Sequence, residues 1–219
     1  MIFKGKLGMR IDTEAVMNEV IDKMRDILKI RTNDFPNIDL YMDQVTTFMD
    51  EKLRYTVRLN ADDEKILTKT MINNYAKNDL LPPPYKKKYS KEHMMVLIFV
   101  YYFKNFLTIS DICTLLNPLT ESYFENNDGM KVEDVYEEIF GLGEERLDYL
   151  EEDLKNKFRV VEDSFKDVPQ EEAEYLRLFS LICLLSYDIF VKKMLIERFL
   201  DEMTAKKSAE DEVKKEDDK

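Results

Sequence analysis

Residues 68 to 93, TKTMINNYAKNDLLPPPYKKKYSKEH, hold the side chains of this sequence best suited to chemistry, and that chemistry is recognition of a polyanion. Lys69, Thr70, Asn73, Asn74 and Lys77 fall within one helix-length stretch, with Met71, Ile72 and Tyr75 as the apolar residues that dock it. Asparagine can pair with adenine through two hydrogen bonds, and lysine is drawn to phosphate. Two successive asparagines weaken a helix, so helix formation alone does not account for them. Taken alone, the pattern also fits a solvated helix carrying neutral asparagines. After three prolines come Tyr85, Lys86, Lys87, Lys88, Tyr89 and Lys91, a run of cations and phenols suited to phosphate oxygens.

Charge isolates this region from the rest. The formal net charge is -12, yet residues 65 to 104 carry eight lysines against Asp79 and Glu92, a local +6 inside a remainder of -18. Exposed charges act over a Debye length of about 8 to 10 Å, so a local basic patch can dock on a polyanion while the acidic remainder opposes indiscriminate sticking. Lysines are also common on ordinary solvated surfaces, and charge alone does not separate the two readings.

Other chemistries find no support in the sequence. The one histidine, His93, lies in the first turn of a helix with no cysteine or patterned carboxylates beside it, and reads as a surface or helix-start residue. The GLG at 141 to 143 lacks the strand and further glycines of a phosphate loop, so it reads as a helix break. Cys113 and Cys183 sit far apart among apolar neighbours, as buried thiols do. No enzyme, metal or cofactor is expected.

The elements that must position the basic stretch are helical. Five glycines, six prolines and an apolar fraction of 44% predict an all-α protein with a substantial core. The spacing predicts a helix from about Asp12 to Ile30, with Asp12 or Thr13 as cap and Val16, Val20, Met24, Ile27 and Leu28 on its face. A second helix is predicted from Leu40 to Leu53 through Val45, Phe48 and Met49, followed by an extended connector at 54 to 60. Residues 62 to 78 read as one helix, or as two if Thr68 caps a fresh start, and the prolines at 82 to 84 end it.

Ser90 caps the next helix, which contains the apolar run Met94 to Phe103, too short to span a membrane. A break at Thr108 to Ser110 precedes a helix ending near Asn117 and Pro118. Residues 119 to 131 read as a linker and domain boundary. Beyond it lies a hairpin, or one helix broken at Gly141 and Gly143, then a long helix opened by Pro169. The last fifteen residues, with 5 basic and 6 acidic side chains, are predicted to be disordered.

The order of parts in the middle of the chain resembles the MerR family of bacterial transcription regulators. There a recognition helix ending in tyrosine leads to a GLLPP-like turn, a basic wing ending in YRxYS, and a helix pair broken by S-L-x-E-I. Here Ile72 and Tyr75 match the helix anchors, Leu80, Leu81 and Pro82 the turn, Lys87, Tyr89 and Ser90 the wing exit, and Ile109, Ser110, Asp111 and Ile112 the later helix start. The sequence departs from the pattern by an insertion at 54 to 67, by a short PYKKKY wing, and by Asn73 where an arginine often follows the helix isoleucine. Residues 35 to 118 also resemble a family of uncharacterised bacterial proteins known only as a domain of unknown function, through YMDQVTTFMDEKL and TKTMINNYAKN.

The resemblance implies a winged helix-turn-helix domain at 35 to 118, preceded by an amphipathic helix at 1 to 34. It would be followed by a helical dimerisation or sensing region at 132 to 204 and the charged tail at 205 to 219. It implies a transcription regulator that binds double-stranded DNA through Lys69, Thr70, Asn73, Asn74, Lys77, Tyr85, Lys86, Lys87, Lys88, Tyr89 and Lys91. The C-terminal helices, with the long one from about Gln170 to Met203, would either form a homodimer or close into a self-contained helical bundle, and no effector is identified. The start of the chain lacks the features of a secretion signal and no membrane segment is read, so a reducing cytoplasm is the expected setting. The alternative is a module of the same fold that docks an acidic protein through its lysines.

Overall fold

The computed structural model describes residues 11–57 and 66–217. The middle of the 54–67 insertion, which includes part of the expected connector and the start of the 62–78 helix, lies outside the described residues, as do residues 1–10 and the last two. The described chain is predominantly helical, with two short strands.

Helix α1 spans Thr13–Leu28 and is capped by Asp12, whose Oδ1 accepts the Ala15 N–H at 2.9 Å. Its inner stripe is Met17, Ile21, Ile27 and Leu28, whereas Val16 and Val20 are about half exposed. The expected stripe was one residue out of phase at its start, because Met17 and Ile21 are the positions turned toward the body. Strand β1 (Leu40–Tyr41) replaces the predicted first residues of the second helix, and α2 runs Met42–Leu53 with Val45, Phe48, Met49 and Leu53 all buried. The reason for the strand lies far along the chain: β1 pairs antiparallel with β2 (Lys88–Tyr89), Leu40 opposite Tyr89 and Tyr41 opposite Lys88. A 3-10 turn at Arg54–Thr56 follows α2 where an extended connector was expected.

Helix α3, Lys69–Lys77, is a fresh start: the Thr68 Oγ1 accepts the Met71 N–H at 3.1 Å. Helix α4, Lys91–Phe103, is buried on every side from Glu92 to Tyr101, as a central core helix must be. Helix α5, Ile109–Tyr123, starts where predicted but passes through Pro118, which is exposed. The Thr120 hydroxyl donates to the Leu116 and Asn117 carbonyls nearby, at 3.2 and 3.1 Å.

Helix α6, Val132–Glu162, is unbroken at Gly141 and Gly143. The glycine at 143 serves close packing instead, since a Cβ there would lie 2.7 Å from the Leu28 Cδ2 of α1. Helix α7, Gln170–Asp217, continues across most of the tail predicted to be disordered.

One core links these parts. Phe35 meets Phe48 and Tyr136, Tyr136 stacks on Phe140 with centroids 4.1 Å apart, and Phe99 reaches both. The Tyr136 hydroxyl donates to the Ile30 carbonyl at 3.0 Å, and Arg31 pairs with Glu137 and Glu144. The core therefore crosses the 119–131 segment expected to separate two domains, and α6 closes over the helices that precede it. No described helix is long and apolar enough to cross a membrane.

Candidate nucleic-acid interface

The docking of α3 follows from its sequence. Ile72 is fully buried and Tyr75 nearly so, and burial pushes the Tyr75 phenol above its ordinary pKa. With these two facing inward, Lys69, Thr70, Asn73, Asn74 and Lys77 are all left exposed. No hydrogen bond to the side chains of Asn73 and Asn74 is found among the described residues, so their amides are open to an external partner.

The end of α3 is fixed by a Schellman arrangement. Asp79 takes a positive φ of 54°, the Leu80 N–H donates to the Tyr75 carbonyl at 3.0 Å, and the Asp79 N–H donates to Ala76 at 3.4 Å. Buried Leu80 and Leu81 anchor the exit, and the half-buried Cys113 thiol donates to the Asn78 carbonyl at 3.3 Å. Cys183 is also half-buried, so neither cysteine is as fully enclosed as its neighbours suggested.

The lysine run forms a tight turn. Lys86 and Lys87 both have positive φ, 49° and 65°, and the Lys88 N–H donates to the Tyr85 carbonyl at 2.9 Å. Two consecutive positive φ values closed by that bond are the signature of a type I′ hairpin turn, which favours Asn-Gly over two lysines. Left-handed backbone costs a lysine roughly 1 to 2 kcal/mol, so the turn carries a conformational cost for displaying two cations at its tip. The Lys86 ammonium lies 4.9 Å from the centre of the exposed Tyr85 ring.

Helix α3 and this turn meet at the start of α2. Lys69 forms an ion pair with Asp43, while the Lys88 ammonium lies over the Tyr41 ring at 5.2 Å. Tyr41 and Asp43 thus bring the beginning of the polar helix and the base of the lysine turn onto one surface. Nothing in the local pattern of the sequence marks these two residues, because their role arises from the pairing of β1 with β2.

Two of the expected contact residues are used otherwise. Tyr89 is 4% exposed and packs edge-on to His93, because alternation along β2 turns it inward as Lys88 turns outward. Lys91 is held by Glu133 at 3.2 Å with little of its side chain in solvent, so its charge is directed to α6. Nine of the eleven residues thus remain on the exposed surface or its margin.

His93 holds the turn to the body, a role the sequence reading missed by placing it simply at a helix start. The Ser90 N–H donates to its Nδ1 at 3.0 Å, and its Nε2 lies 3.1 Å from the Pro82 carbonyl, which accepts from it. The ring is 2% exposed, between Tyr89 and Phe124, and burial lowers its pKa to about 4. The capping-box spacing from Ser90 was the only signal available. Among the described residues there is no group of histidine, cysteine and carboxylate ligands able to hold a metal.

Fold and surface together define a helical domain that displays a polar helix and a lysine-tipped turn on one side. Residues 30–139 match the family described as a domain of unknown function, DUF1836, and the chain belongs to that family. The match reaches beyond the 35–118 resemblance on both sides, from Ile30 into α6, which accords with the shared core. No curated protein matches the chain. No solved structure matches it.

Proposed function

We propose that this protein is a cytoplasmic, double-stranded DNA-binding transcription regulator of the MerR-like winged helix-turn-helix kind. Helix α3 enters the major groove, and the Lys86–Lys88 turn acts as a short wing on the adjacent phosphates. The observation that carries the reading is the common surface at Tyr41–Asp43, where α3 and the lysine turn converge with Asn73, Asn74 and Lys77 exposed. Asn73 and Asn74 read base edges, while Lys77, Lys86 and Lys87 set the position on the backbone. The short turn and the acidic remainder of the chain favour a compact footprint over broad coating of the duplex.

The dependence of affinity on salt tests the wing. Each phosphate contact contributes roughly 0.9 to the slope of log K against log salt, so replacing Lys86, Lys87 and Lys88 by alanine flattens the slope by up to about 2.7. Fluorescence anisotropy with a genomic duplex across a salt series reads it directly. An unchanged slope removes the turn from the interface. Binding to an acidic protein, with none to duplex DNA, supports the alternative of a docking module that uses the same lysines.

A further inference from the structure

Helices α1, α4, α5 and α6 meet around a cavity of about 500 Å³ to which neither α3 nor the lysine turn contributes a residue. Leu28 enters it from α1, Phe99 and Tyr102 from α4, Leu119 from α5, and Ile139 and Phe140 from α6. Ile139 is 47% exposed, so the cavity opens to the surface beside it. Pockets that hold a small molecule span about 300 to 1,000 Å³, and this one lies among them. No described residue in its lining is charged. The one hydroxyl there belongs to Tyr102 and is buried without a hydrogen-bond partner among the described residues. Buried phenols ordinarily find a partner, so the wall holds one unused donor among apolar side chains.

We propose that this cavity binds an uncharged aromatic small molecule carrying no more than one hydrogen-bonding group. Rings in the wall favour such an occupant. Phe99 and Phe103 stack with centroids 6.4 Å apart, Phe106 stands edge-on to Phe103 at 6.2 Å, and Tyr102 edge-on to Phe140 at 6.0 Å. A further ring extends this array at the separations of about 4.5 to 7 Å that aromatic pairs prefer.

The lining disfavours other occupants. A carboxylate, phosphate or ammonium would leave water for walls that offer no opposite charge. An extended peptide would bury N–H and C=O groups where almost nothing pairs with them. Water needs about two to four polar partners to be held in a cavity, and these walls do not supply them.

The site stands or falls independently of DNA binding. It is tested with the full chain and the uncharged fluorophore N-phenyl-1-naphthylamine, whose emission rises in apolar surroundings. The probe saturates at one molecule per chain with a dissociation constant of about 1 to 10 µM. Unlabelled 2-naphthol displaces it, and the anion 2-naphthoate does so at least about tenfold less well. Ile139→Glu sets a carboxylate in the wall and weakens probe binding at least about tenfold. Leu119→Trp, which fills the cavity, provides the same test if the charged variant fails to fold. Phe190→Ser with Leu195→Ser, on the exposed apolar face of α7, leaves binding unchanged. Absence of saturable binding, equal displacement by the naphthoate, or undiminished binding by the folded wall variants overturns the proposal. So does loss of binding on substitution at α7 alone, or binding that weakens as protein concentration rises, which would mark the cavity as a contact between copies.

Discussion

Between pH 7 and pH 4 the wild-type protein loses roughly 3 kcal/mol of folding stability that a His93→Gln variant retains. The magnitude follows from the fall of the His93 pKa from 6.5 to about 4 on burial. The sign follows from the same fact: the unfolded chain binds the proton through this window and the folded chain resists it. The contribution is complete above the unfolded pKa and is lost as pH falls from about 6.5 toward 4.

The cause is visible in the geometry, because Nδ1 accepts the Ser90 N–H and a proton there would face that donor. Glutamine keeps an acceptor for Ser90 at the capping-box position but does not titrate in this range. Burial raises the pKa of neighbouring Glu92, which acts in the opposite direction and is present in both proteins. Urea denaturation at pH 7, 5.5 and 4 therefore reports the difference between the two curves. Parallel curves contradict the role assigned to His93. Protonation keeps the Nε2–H bond to the Pro82 carbonyl and sets the new proton against the Ser90 N–H, so the contact that is lost is the one at the start of α4.

Replacing Lys86 by Asn and Lys87 by Gly changes stability and DNA affinity in opposite directions. The backbone at these positions, with φ of 49° and 65°, is the one that Asn-Gly prefers. Relief at two left-handed positions stabilises the protein by about 2 kcal/mol, or roughly 4 to 8 °C in Tm for a chain of this size. The same change removes two cations and flattens the salt slope by about 1.8. Differential scanning calorimetry and the anisotropy series measure the two effects on one sample. A rise in Tm without a change in slope would leave the strained lysines without a function in binding. A slope change with no gain in stability would show that the turn is not costly.

The fold was legible where local chemistry and packing agree. The Asp12 and Thr68 caps, the buried face of α2 and the apolar α4 follow from spacing that survives in any context. What escaped was set by distant partners. Leu40 and Tyr41 leave the helix because Lys88 and Tyr89 pair with them, and Gly143 sits inside α6 because Leu28 packs against it.

The exposed and buried positions of α3 were readable from Ile72 and Tyr75, which fix the face of a short amphipathic helix. The fates of Tyr89 and Lys91 were not, since a lysine turned to Glu133 and a tyrosine turned to His93 depend on residues brought close only by folding. The predicted disorder of the tail rested on composition alone, whereas α7 carries helical structure on to Asp217.

The most direct test of α3 as the reading element is capture of genomic DNA fragments by the purified full-length protein at about 0.15 M salt, near the ionic strength where screening is physiological. The capture is repeated with Asn73 and Asn74 both replaced by alanine. The wild type recovers fragments sharing one sequence motif, and the double variant loses that motif while keeping residual, salt-sensitive binding through its lysines. Wild-type binding without a shared motif, no binding, or a motif unchanged by the two substitutions would contradict direct readout by α3.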